Sequence, residues 1–164
     1  KGFRERLHGH NYRVSVRLLG NKRIGPDGYV LDYGCVKKVT KEVCKEINEH
    51  FLCPMRSDVI DISTEGESVK LICEDGAVFV FPKEDCYMLP IVHATTEELA
   101  VYLWGKILAG LDSDYLVKRG IHTMEVTVGE AVGQEAVFRM KVPDVEIPHV
   151  EREKLSDVAS YITK

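Results

Sequence analysis

Apolar and polar positions alternate over residues 8–18. His8, His10, Tyr12, Val14, Val16 and Leu18 fall on one side, and Gly9, Asn11, Arg13, Ser15 and Arg17 on the other. A period of two is that of a half-buried strand. The stretch "GNKRIGPDG" that follows is dense in turn formers and leads to a second predicted strand over 29–33. From Cys35 the period lengthens: Val36, Val39, Val43 and Ile47 recur at helical spacing and predict one amphipathic helix ending near Glu49.

Within "ESVKLICEDGAVFVFP", two β-rich runs flank Asp75 and Gly76, a hairpin signal. Thr95 and Glu98 have capping-box spacing at the start of a second helix, whose apolar face carries Leu99, Leu103 and Ile107. Alternating runs at 121–128 and 136–142 predict two more strands. The order β-β-α-(hairpin)-α-β-β is that of an α+β fold, an antiparallel sheet with both helices on one face. Residues 1–142 are read as a single domain, and 143–164 as a charged tail that docks loosely or frays. Such a sheet has open edges, which invite pairing with another copy of the chain.

Composition narrows the classes. The 164 residues carry a formal net charge of −4, so no positive field draws in a nucleic-acid backbone. No apolar run approaches the roughly 20 residues needed to span a bilayer, and no membrane partner is expected. Cys35, Cys44, Cys53, Cys73 and Cys86 form no C-x-x-C pair. This suits reduced, buried thiols in a cytoplasmic protein.

The chemistry concentrates in "RERLHGHNY", residues 4–12. On a strand, His8 and His10 project side by side. Two imidazoles on one pleat can grip a transition-metal ion, or can simply be hydrogen-bonded at a strand end. Two ligands are fewer than the three protein ligands of a usual catalytic zinc site. Spacing alone leaves the alternatives open.

The run "LHGHNY" with its alternating strand, then "GYVLDYGCVKK", "ATTEELAVYLW" and "MEVTVGE", in that order, resembles the 6-pyruvoyltetrahydropterin synthase family. The resemblance runs to about Val142, with a hairpin-bearing insertion around 56–90. It implies the tunnelling fold: a four-stranded antiparallel sheet, two helices on one side, and a hexamer built as a dimer of trimers. It also implies a Zn2+ site holding the side chain of a dihydropterin triphosphate. His8 and His10 match two zinc ligands, and the third histidine would fall upstream of Lys1. Glu130 matches the glutamate that anchors the pterin, since a carboxylate can accept two parallel hydrogen bonds from the ring. Thr95 and Thr96 match positions that help hold the pterin, and Asp32 an acidic position read as structural.

Two departures bear on activity. Most members carry a catalytic cysteine a few residues before the histidine pair. Here 1–7 contains Glu5 instead. That resembles a variant branch that cleaves 7,8-dihydroneopterin triphosphate to 6-hydroxymethyl-7,8-dihydropterin for folate synthesis, with Glu5 as the base. Its pKa would have to be raised by a partly desolvated site. The alternatives are elimination of the triphosphate to the pyruvoyl product, which leads to tetrahydrobiopterin, or a non-catalytic pterin- or zinc-binding homologue. The deazaguanine-pathway branch normally needs the cysteine. The family's Asp-His relay aligns with Asn48 and Glu49, one place before His50. His50 is favoured as the relay over Glu49 or an impaired relay, because imidazole titrates near neutral pH. Arg4 and Arg6 are candidates for the triphosphate.

Overall fold

The computed structural model describes residues 4–22 and 24–142. In sequence order its elements are β1 (Arg13–Gly20), α1 (Tyr33–Ile47), β2 (Phe51–Pro54), β3 (Ile60–Glu65), β4 (Ser68–Cys73), β5 (Val78–Pro82), β6 (Cys86–Leu89), α2 (Thr96–Gly110), α3 (Ser113–Lys118), β7 (Ile121–Ala131) and β8 (Gln134–Lys141). The alternation of Val14, Val16 and Leu18 places one side of β1 against the main core. The strand starts at Arg13, later than its pattern predicts. Its ladder with β7 opens at the pair Arg13 and Gly129, and residues 8–12 precede it outside the strand.

The main sheet has the order β1-β7-β8, antiparallel throughout. It has three strands among the described residues where four were expected, and the predicted strand at 29–33 is the one missing. A turn at Gly28, which has φ +86°, redirects the backbone. The Arg119 side chain then claims the carbonyls of Tyr29 and Val30, donating to Val30 O over 2.7 Å. Those acceptors are what a neighbouring strand would need. Asp32 ends the segment as the N-cap of α1, accepting from the Gly34 amide over 2.9 Å, which is the structural role expected of it.

Both long helices lie on one face, as anticipated: α2 packs on β7 and β8, and α1 packs on α2. Leu99, Leu103 and Ile107 are fully buried, each contributing about 1.5–3 kcal/mol by leaving water. Trp104 sits among them and donates its indole N–H to Met124 O over 2.8 Å. Gly110 permits the close approach of the helices, since a Cβ there would lie 2.6 Å from Val39 Cγ1. α3 carries no long period and was not anticipated.

The hairpin at Asp75 and Gly76 forms as expected, joining β4 to β5. Gly76 has φ +80°, and the Asp75 carboxylate accepts from the Ala77 amide over 3.0 Å. The same segment holds more than a hairpin. β3 adds a third antiparallel strand, and β6 returns to pair in parallel with β2. A second, smaller core of Cys53, Val69 and Leu71 fills the space beneath. Of the cysteines only Cys53 is fully buried, and Cys35 is exposed. The tail at 143–164 lies outside the described residues. No helix among them is long and apolar enough to cross a membrane.

Candidate active site

The pairing of β1 with β7 decides what meets the histidines. Arg13 lies opposite Gly129, so the backbone just before Arg13 runs past Glu130. The Glu130 carboxylate lies 3.0 Å from His10 Nδ1. His8 and His10 stand with ring centroids 4.5 Å apart at 61°, side by side although they precede the strand. His8 Nδ1 lies 2.6 Å from Arg6 O. A carbonyl can only accept, so Nδ1 donates, and in the neutral ring Nε2 is left with the lone pair. Glu5 Oε2 is 3.6 Å from that Nε2.

This pattern fits a metal-binding pair. Histidines that ligate metals usually engage their second nitrogen with a carboxylate or carbonyl, which fixes the ring and its tautomer. Here Glu130 and Arg6 O supply those partners. Among the described residues no group of three His, Cys, Asp or Glu side chains is arranged around one metal position. His93 is engaged with Asp58 at 4.0 Å and His122 with Thr123. The Tyr12 ring lies 5.7 Å from that of His10, tilted by 33°. Burial, then the charge of Glu130, hold its phenol above the ordinary range, so it stays neutral.

A groove of about 990 Å³ begins at these rings. Its lining includes the polar His8, His10, Asn48, Glu49 and His50 and the apolar Val14, Val16, Val36 and Ile47. Glu49 holds φ +60°, a left-handed backbone rare for a residue with a Cβ. Such strain costs about 1–3 kcal/mol and gathers at functional sites. It falls between the two residues that fix the next ring, because His50 Nδ1 bonds Asn48 O over 2.7 Å. His50 and Glu49, the rival relay residues, therefore both face the groove.

The other predicted residues stand apart. Thr95 caps α2, accepting from the Glu98 amide over 3.4 Å, and Thr96 donates to Glu97. Neither lines the groove, though Ala94 does. Arg4 is tied to Asp75 at 2.8 Å and lies over Phe79, so the hairpin engages it. Glu5 is 66 % exposed, so a single protomer does not supply the desolvation expected of a base there.

The 6-pyruvoyl tetrahydropterin synthase family model matches residues 1–141. The chain belongs to that family. It is a lyase-type enzyme of the pterin pathway. Its fold is similar to the crystal structure of 6-pyruvoyl tetrahydropterin synthase from Plasmodium vivax, at 43% identity and a TM-score of 0.82, covering 86% of this chain and 85% of that one. Two further structures of the P. vivax protein, described as catalytic-residue mutants, have a glutamate replaced by alanine or cysteine. The Plasmodium falciparum 6-pyruvoyl tetrahydropterin synthase matches at 40% identity and a TM-score of 0.81, over 86% of this chain and 85% of that one. A Methanocaldococcus jannaschii protein, provisionally named 6-carboxy-5,6,7,8-tetrahydropterin synthase, is 32% identical across 81% of this chain and 79% of its own length.

Proposed function

We propose that this family member acts on 7,8-dihydroneopterin triphosphate and breaks its side chain between C1′ and C2′, giving 6-hydroxymethyl-7,8-dihydropterin for folate synthesis. The observation that carries the reading is Glu5, 3.6 Å from His8 Nε2, in a stretch, 1–7, that contains no cysteine. The P. vivax relative, in which a glutamate is described as a catalytic residue, supports it.

His8 and His10 would hold a zinc ion, each with Nδ1 already engaged. When bound, such an ion is a Lewis acid that lowers the pKa of substrate hydroxyls. The protein's own groups do the rest. Glu130 orients the pterin through paired hydrogen bonds, and Thr95 and Thr96 at the start of α2 would help to hold it only from outside the groove of this protomer. Glu5 takes the proton of the 2′-hydroxyl. The oxygen's electron pair forms a carbonyl at C2′ while the C1′–C2′ bond breaks and its electrons pass to C1′. His50 returns a proton to C1′. The products are the hydroxymethyl pterin and a two-carbon aldehyde bearing the triphosphate.

The names of the Plasmodium relatives favour a second reading, in which abstraction of a carbon-bound proton from the substrate's side arm leads to loss of triphosphate and a pyruvoyl product. Product analysis separates the two. Chromatography of native and Glu5→Cys reactions is expected to show the hydroxymethyl compound from the native protein and a gain of pyruvoyl product in the variant. Only the pyruvoyl compound from native protein would refute the first reading. Assembly into a hexamer is also proposed, on the ground that β1 and β8 each have an edge without a partner among the described residues. Light scattering tests it.

A further inference from the structure

Segment 56–90, read from the sequence as an insertion into the family pattern, ends by running back into the site. β6 pairs in parallel with β2, and the register sets Tyr87 opposite Leu52, two residues beyond His50. The Tyr87 ring meets the His50 ring edge to face, with centroids 6.1 Å apart at 72°. Its own hydroxyl is fixed from two sides. It donates to Glu46 Oε2 over 3.3 Å and lies 3.3 Å from the Tyr102 hydroxyl. Lys106 holds the same Glu46 oxygen at 3.3 Å. Burial, then the bond to Tyr87, raise the Tyr102 phenol well above the ordinary range, so it remains a neutral donor. The hydrogen bonds then run one way, from Tyr102 to Tyr87 to Glu46.

We propose that Tyr87 is a positioning residue: it holds the His50 imidazole in the orientation in which that ring handles protons at the groove. The inference rests on the reading of His50 as the proton carrier. It accounts for two departures with one device, because the histidine displaced by one place and the segment that buttresses it belong together. The Asn48 carbonyl fixes the tautomer by accepting from Nδ1, and Tyr87 fixes the plane of the ring.

The test compares Tyr87→Phe, Tyr87→Leu, His50→Gln and the double variant Tyr87→Leu/His50→Gln, with 7,8-dihydroneopterin triphosphate as substrate. Loss of the ring in Tyr87→Leu should lower kcat about tenfold and leave KM within about twofold, as expected when orientation and not binding is lost. Tyr87→Phe keeps the ring and should retain most of kcat. In the His50→Gln background Tyr87→Leu should add no further loss, because a residue acting through another is not additive with it. Nitrogen-15 spectra should show one His50 tautomer, with Nδ1 protonated, in the native protein and Tyr87→Phe, and averaged signals in Tyr87→Leu. Multiplying losses in the double variant, or an unchanged kcat and an unchanged His50 spectrum in Tyr87→Leu, would overturn the role of Tyr87. An unchanged kcat in His50→Gln would instead remove the reading of His50 and the inference with it. Should Tyr87→Leu not fold, full activity with averaged His50 signals in Tyr87→Phe would overturn it equally.

Discussion

Glu98 is buried near the start of α2, with 8 % of its surface exposed. Its carboxylate accepts from the amides of Val92 over 2.8 Å and His93 over 3.1 Å. Those bonds hold the loop leading into Thr95 and Thr96, next to Ala94 on the groove. Replacement by glutamine keeps the shape but leaves one carbonyl oxygen for two converging N–H groups, and turns an NH₂ toward one of them. Hydrogen bonds to a charged acceptor contribute about 1.5–3 kcal/mol each, and a neutral one about 1. The loss is then about 2–5 kcal/mol, once the surviving neutral bond is counted. For a protein of this size that corresponds to a fall in Tm of about 4–20 °C. Urea unfolding of Glu98→Gln at fixed protomer concentration measures it, since association would shift the apparent stability. A change below about 0.5 kcal/mol, the level of an ordinary surface substitution, would refute the claim that these bonds anchor the loop.

Glu130→Gln should raise KM and also weaken zinc binding by about tenfold, the usual size of a lost supporting carboxylate; a chelator competition that shows unchanged zinc affinity would reduce Glu130 to a pterin contact. The hydrogen bond from the Arg119 guanidinium holds the Asp27 carboxyl below its ordinary value of 3.8. A depressed folded pKa gives stability that is fully present above the unfolded value and lost as pH falls through the folded one. Asp27→Asn should therefore destabilise the protein at neutral pH, with the difference closing in acid; a constant difference from pH 7 to 2.5 counts against the pairing. Burial, then the neighbouring Cys86, push the Cys53 thiol up to about 12, whereas Cys35 is exposed. Mass spectrometry after alkylation of folded protein should find Cys35 labelled early and Cys53 last; equal rates would contradict that burial.

Legibility followed the range of the interactions. The alternation in β1 and the helical period of α1 are local, and both elements formed, although β1 starts at Arg13 and not at His8. The spacing of Thr95 and Glu98 marked the start of α2, and the Thr95 half of the capping box forms there. Thr95 caps, while the Glu98 carboxylate turns to Val92 and His93. The strand predicted at 29–33 failed for a distant cause: Arg119, some ninety residues on, takes the backbone acceptors. The meeting of His10 with Glu130 likewise depends on the β1–β7 register, and nothing in the spacing of either residue announces it. It was legible only through resemblance to the family. Tyr87 had no signal at all, since parallel pairing of two four-residue strands leaves no pattern.

The exposure of the site and the unpaired strand edges are best understood together. A base that takes a hydroxyl proton near neutral pH needs its charge partly removed from water. Yet Glu5 is 66 % and His8 48 % exposed on the single protomer. The groove runs alongside β1, whose second edge has no partner among the described residues. β8 offers another unpaired edge on the far side of the same sheet. Edges of this kind are costly to leave open and pair readily with other copies. Association through them would cover the segment before Arg13 and exclude water from Glu5, the desolvation the chemistry requires. In this proposal the open edges are part of the catalytic design, because each protomer holds its reacting groups in order and leaves their dehydration to assembly.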